Sequence, residues 1–119
     1  MIDRSVLIVD DNAEFRRLAR QLLESGGYSV VGEADDAGGA LRAHAALRPD
    51  IVLLDIQLPD QDGFAVAETL AADADPPIVV LISSRDRGAY RRKLALTTAR
   101  AFLPKGELTL TAFDQAIST

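Results

Sequence analysis

Hydrophobic and polar positions along the chain fall into blocks whose period keeps switching. Ser5–Asp10, SVLIVD, is a compact apolar run, which suits a strand buried on both faces. Phe15, Leu18, Ala19, Leu22 and Leu23 then recur at i, i+3, i+4, i+7 and i+8. That is the stripe of an amphipathic helix, and Gly26–Gly27 stops it. Ser29–Ala34 alternates weakly, as a strand does, and Ala37–Leu47 is Ala-rich and helical, closed by Pro49. Ile51–Asp55, IVLLD, is a second wholly apolar run that ends on a carboxylate, followed by QLPDQDG, a loop dense in turn residues. Phe64–Ala71 is helical and ends ahead of Pro76–Pro77. Ile78–Ser83 reads as a strand, Tyr90–Leu96 as a short helix, Ala101–Leu103 as a short strand and Leu108–Ile117 as a last helix.

Five strand–helix pairs in 119 residues predict one α/β domain with a parallel sheet. Right-handed crossovers place helices on both faces. In such open sheets the functional crevice lies at the carboxyl ends of the strands. Those ends carry Asp10, Asp11, Asp55 and Ser83, and Lys105 follows the last strand at the same rim.

Composition narrows the chemistry. The chain has no cysteine and one histidine, which excludes a thiolate or multi-histidine metal site. No apolar run approaches the roughly 18 residues that span a bilayer, and MIDRSVLIVDD lacks the layout of a secretory signal; a cytoplasmic protein is expected. The net charge of −5 argues against this domain gripping nucleic acid. Eleven of the thirteen basic residues are Arg, which draws attention to a lone Lys near the chain's end.

Carboxylates converging at one rim repel each other, and a divalent cation relieves the repulsion. The ligands are all hard oxygens, which points to Mg²⁺, or Mn²⁺, rather than zinc. Mg²⁺ shares its coordination with phosphate oxygens. A carboxylate can act as nucleophile at phosphorus. Mg²⁺, the Lys105 ammonium and the Ser83 hydroxyl could each hold one equatorial oxygen.

With these motifs in this order, the chain resembles the receiver domain of bacterial two-component response regulators over essentially its whole length, 1–119. Asp10–Asp11 matches the acidic pair, LLDIQLPDQDGF the acceptor strand and its loop, VVLISS the switch strand and AFLPKGEL the Lys strand. The resemblance implies a flavodoxin-like (βα)5 doubly wound sheet of strand order 2-1-3-4-5. It implies Asp55 as phosphoacceptor. Mg²⁺ would be held by Asp11, Asp55 and the Gln57 backbone carbonyl, with Asp10 acting through water. Lys105 and Ser83 would serve the phosphoryl group, and Phe102 would rotate inward as Ser83 moves. A sensor histidine kinase would be the donor, and a homodimer could form on phosphorylation. The chain would catalyse only its own phosphorylation and dephosphorylation. Gly106 after Lys105, with Pro104 before it, resembles the subgroup that carries a C-terminal helix-turn-helix domain, which these 119 residues do not include.

Other readings of the same residues stay open here. Asp10–Asp11 could cap a helix, Asp55 could be a turn residue, Ser83 a plain strand-end hydroxyl and Lys105 a solvated surface group. His44 reads as a packing or surface residue, and the Arg85–Arg92 cluster as a solvated face. A Mg²⁺-dependent phosphohydrolase needs a second acid where Gln57 stands. A flavin or nucleotide module would not set DDNAEF against a phosphate. A degenerate receiver used only for binding would not need the intact acidic set.

Overall fold

A computed structural model describes residues 4–118; residues 1–3 and 119, the outer ends of the expected domain, lie outside the described residues. The apolar runs form strands β1 (Ser5–Val9), β2 (Ser29–Ala34), β3 (Ile51–Asp55), β4 (Ile78–Ser83) and β5 (Ala101–Pro104). Helices α1 (Ala13–Ser25), α2 (Ala37–Leu47), α3 (Gly63–Ala71), α4 (Arg91–Leu96) and α5 (Leu110–Ser118) connect and follow them. The sheet is parallel throughout and ordered β2-β1-β3-β4-β5, the doubly wound order that the family resemblance implied.

Pleating sorts the side chains into two cores, because successive residues of a strand face opposite ways. Leu7, Val9, Val52, Leu54, Leu81 and Phe102 pack with α2 and α3. Val6, Ile8, Ile51, Leu53, Val80 and Ile82 pack on the other face with Ala19 and Leu23 of α1 and Phe113 and Ile117 of α5. The central strands β1, β3 and β4 are buried almost end to end. The edge strand β2 alternates, with Val30 inside and Val31 outside, and a register shift lies beside it.

The helix ends follow local chemistry. The Asn12 side chain accepts from Phe15 N–H at 3.1 Å and caps α1. The capping reading of Asp10–Asp11 is thereby corrected, since both lie ahead of the cap. Asp36 and Asp62 cap α2 and α3 in the same way. Arg48 takes the left-handed conformation (φ 48°) that closes α2 just before Pro49. The α1 stripe is narrower than its sequence suggests: Leu18 is 51% exposed. At 100° per residue it falls at the stripe's rim, about 100° from Ala19, which is buried. A short 3₁₀ turn, Arg87–Tyr90, precedes α4, and another, Lys105–Glu107, precedes α5. His44 is buried on α2, with Nε2 3.5 Å from an Asp73 carboxylate oxygen.

Candidate functional site

Strand register brings the acidic residues together. Val9 pairs with Leu54, so Asp10 and Asp55, one residue further on, leave adjacent strands side by side. By the pleat both belong to the α1/α5 face, the parity of Ile8 and Leu53. Asp10 is fully buried and Asp55 is 3% exposed, while Asp11 is exposed. One carboxylate oxygen from each of the three lies within 4.8 Å of the others.

Lys105 closes the cluster from the end of β5. Its Nζ stands 2.6 Å from Asp10 Oδ2 and 3.5 Å from Asp55 Oδ2. Phe15 of α1 lies beneath it, the ring centroid 4.6 Å from Nζ, and adds a cation–π contact. Burial works against the Lys105 charge, but the close ion pair with Asp10 and the neighbouring Asp55 charge outweigh it and hold the ammonium above the usual lysine pKa. Asp55 is pushed up to about 6, first by burial and then by the Asp10 charge, against the opposing pull of the Gln57 N–H and Lys105.

The loop after β3 is fixed at several points. Gln57 N–H donates to Asp55 Oδ1 at 3.1 Å, and Gln57 bridges Asp62. Gly63 begins α3 directly against the end of β3: a Cβ there would lie 2.4 Å from the Asp55 carbonyl oxygen and 2.8 Å from Ile56 Cα. No larger residue fits unless the strand end or the helix moves. Asp60 reaches across to α2 and accepts from Ala37 and Gly38 N–H at 2.8 and 3.1 Å.

The residues fit a hard divalent cation. Three carboxylates gather at one point with no nitrogen or sulfur ligand among them. Asp10 Oδ2 is buried and, although the Lys105 ammonium is near, has no hydrogen bond of good angle. Burial and the Asp10 charge both push the Asp55 carboxyl up, a burden that a cation would lift.

Ser83 is bonded to residues outside this cluster. It is fully buried, and by pleat parity it shares the face of Val79 and Leu81, opposite to Asp55. Its Oγ is hydrogen-bonded to the Tyr90 hydroxyl at 2.9 Å and accepts from Arg85 N–H at 3.1 Å. Phe102 is only 4% exposed, with the Tyr90 ring edge-on at 6.0 Å and the Arg87 guanidinium 5.4 Å from its centroid. The ring is already inward, because it has no hydroxyl to hold at the surface and an aromatic partner to meet.

The family model of the response regulator receiver domain matches residues 6–116. The chain belongs to that family. The receiver is 37% identical over 113 residues to protein-glutamate methylesterase/protein-glutamine glutaminase 3 of Hahella chejuensis, covering 95% of this chain and 31% of that protein. It is 40% identical over 101 residues to "Probable transcriptional regulatory protein NarL" of Mycobacterium tuberculosis, covering 84% of this chain and 47% of NarL. The chain thus spans about a third and about half of the two relatives. The solved receiver domain of that NarL superposes with a TM-score of 0.84 at 35% identity, over 98% of both chains. A solved CheX–CheY–BeF3–Mg complex from Borrelia burgdorferi matches with a TM-score of 0.84 at 25% identity, over 98% of this chain and 87% of that one. Family membership sets aside the hydrolase and the flavin or nucleotide readings. Receivers bind Mg²⁺ at an acidic pocket, and Asp10, Asp11 and Asp55 form such a group here. No helix among the described residues is long and apolar enough to cross a membrane.

Tyr90, Phe15, Gly63 and Asp60 did not stand out in the sequence as site residues. The glycine after an acidic loop carried a usable signal, since DG ahead of a helix marks a close turn. Tyr90 carried none, because the segment before it has no period.

Proposed function

We propose that Asp55 is the phosphoacceptor of a Mg²⁺-dependent signalling switch, supplied by a sensor histidine kinase. The supporting observation is Lys105, whose ammonium contacts both Asp10 and Asp55 beside the Asp10, Asp11 and Asp55 group. An Asp55 carboxylate oxygen attacks phosphorus, a P–O bond forms, and the P–N bond to the donor's histidine breaks with its electron pair returning to the ring nitrogen. Asp11, Asp55 and the Gln57 carbonyl would hold Mg²⁺, with Asp10 acting through water, and the ion would supply Lewis-acid charge neutralisation at a phosphoryl oxygen.

The chain's own residues do the rest. Gln57 N–H fixes one Asp55 oxygen and leaves the other, on the Lys105 side, for attack. Lys105 is positioned by Asp10 and Phe15 to meet a second phosphoryl oxygen. Ser83 leaves its present partners to donate to a third. Phosphorylation adds about −1.5 to −2 charge and three acceptor oxygens. The face of α4, β5 and α5 then changes its contacts with an output domain or partner, and pairing of two copies through that face is one route to output. The likeness to NarL supports transcriptional output through a further domain.

Incubation with acetyl phosphate and Mg²⁺ tests the acceptor. The intact mass should rise by one phosphoryl group, and Asp55→Asn should abolish the gain. Uptake that persists in Asp55→Asn would move the acceptor elsewhere; uptake unaffected by EDTA would remove the metal from the reaction.

A further inference from the structure

We infer that Tyr90 is a positioning residue for the switch: its hydroxyl holds Ser83 away from the phosphoryl site and must be released when Asp55 is phosphorylated. The inference rests on Asp55 being the acceptor. Ser83 has no water to turn to, being fully buried, and its Oγ bonds the Tyr90 hydroxyl at 2.9 Å. The pleat sets that bond on the α2/α3 face, whereas Asp10, Asp55 and Lys105 meet on the α1/α5 face. A phosphoryl oxygen at Asp55 can therefore be reached by Ser83 only through a rotation that gives up Tyr90.

Tyr90 is itself held in place. Its ring stands edge-on to Phe64 of α3, centroids 5.8 Å apart, and to Phe102 of β5 at 6.0 Å. It is the last residue of the 3₁₀ turn and the first flank of α4, where no side chain caps the helix. Neither the turn nor α4 contains a fully buried residue. The Ser83–Tyr90 bond thus ties the end of β4 to the start of α4. Its release connects the acceptor's charge to that helix without any movement of Phe102 from solvent.

Tyr90→Phe removes the hydroxyl and keeps the ring contacts. Binding of beryllofluoride with Mg²⁺, followed by titration, should tighten by about two- to tenfold in this variant, the net effect of one neutral hydrogen bond. In a Ser83→Ala background the same change should alter affinity less than about twofold, whereas a Ser83→Thr background, which restores the hydroxyl, should restore the tightening. As a second measurement, the Tyr90 ζ-carbon, labelled in a Tyr28→Phe background, should shift when beryllofluoride binds. The inference is overturned if Tyr90→Phe leaves affinity unchanged or weaker, if the tightening survives in Ser83→Ala, or if the ζ-carbon does not respond. If the unsubstituted chain takes up neither beryllofluoride nor a phosphoryl group, the acceptor reading itself falls and this one with it.

Discussion

Replacing Asp55 by Asn should stabilise the metal-free domain, and only above the pH at which Asp55 ionises. The folded protein raises this carboxyl from 3.8 to about 6 through burial and the neighbouring Asp10 charge. A raised folded pKa means that the fold favours the neutral acid. Asp55 thus costs nothing extra below about pH 4, and its cost grows as pH rises towards 6 and is complete above it. At 1.36 kcal/mol per pH unit, the shift corresponds to at most about 3 kcal/mol. Asn is neutral and can still accept the Gln57 N–H, while Lys105 keeps its nearer partner, Asp10 at 2.6 Å. The loss of the 3.5 Å contact to Lys105 subtracts from the gain. A net of about 1–3 kcal/mol remains, which for a domain of this size is roughly 4–12 °C in Tm. Thermal melts in EDTA at pH 8 should show that increase, and melts at pH 4.5 should show most of it gone. Saturating Mg²⁺ should then stabilise the unsubstituted chain, by about 2.7 kcal/mol at a hundred times Kd, and the Asn variant less. A variant no more stable than the parent at pH 8, or equally favoured at both pH values, would refute the claim that a buried, crowded charge strains this site.

Lys105→Met should leave two buried carboxylates without their cation, at a cost of about 3–5 kcal/mol in EDTA, read by urea denaturation; Mg²⁺ should recover part of the loss. The same variant should take up phosphoryl from acetyl phosphate about a hundredfold more slowly, as expected when a charge-stabilising donor is removed. Gly63→Ala must displace the Asp55 carbonyl or the start of α3 and should lose about 1–3 kcal/mol, as overpacking does, with slower phosphorylation in the intact-mass assay. Asp60→Ala removes the acceptor of two N–H groups at the start of α2 and should lose about 1 kcal/mol; hydrogen exchange at Ala37 and Gly38 should quicken while β4 stays protected.

The strand order came from the family resemblance, but the five strands, their helices and the row of oxygen-bearing residues at the strand ends were legible in the apolar pattern. These are local properties. Burial on two faces writes continuous apolar runs, burial on one writes a stripe, and a chain that leaves the core must end such a run on a polar group, as IVLLD does. The tertiary structure decided what each rim residue touches. Lys105 meets Asp55 across fifty positions of sequence, and Asp60 meets α2 across more than twenty. Ser83 and Tyr90 are close in sequence, but the turn between them has no period to reveal its direction. Whether Ser83 faces Asp55 or the aromatic cluster depends on the pleat's parity and on the rings of Phe64 and Phe102. Those come from α3 and β5, elements that no local pattern around Ser83 contains.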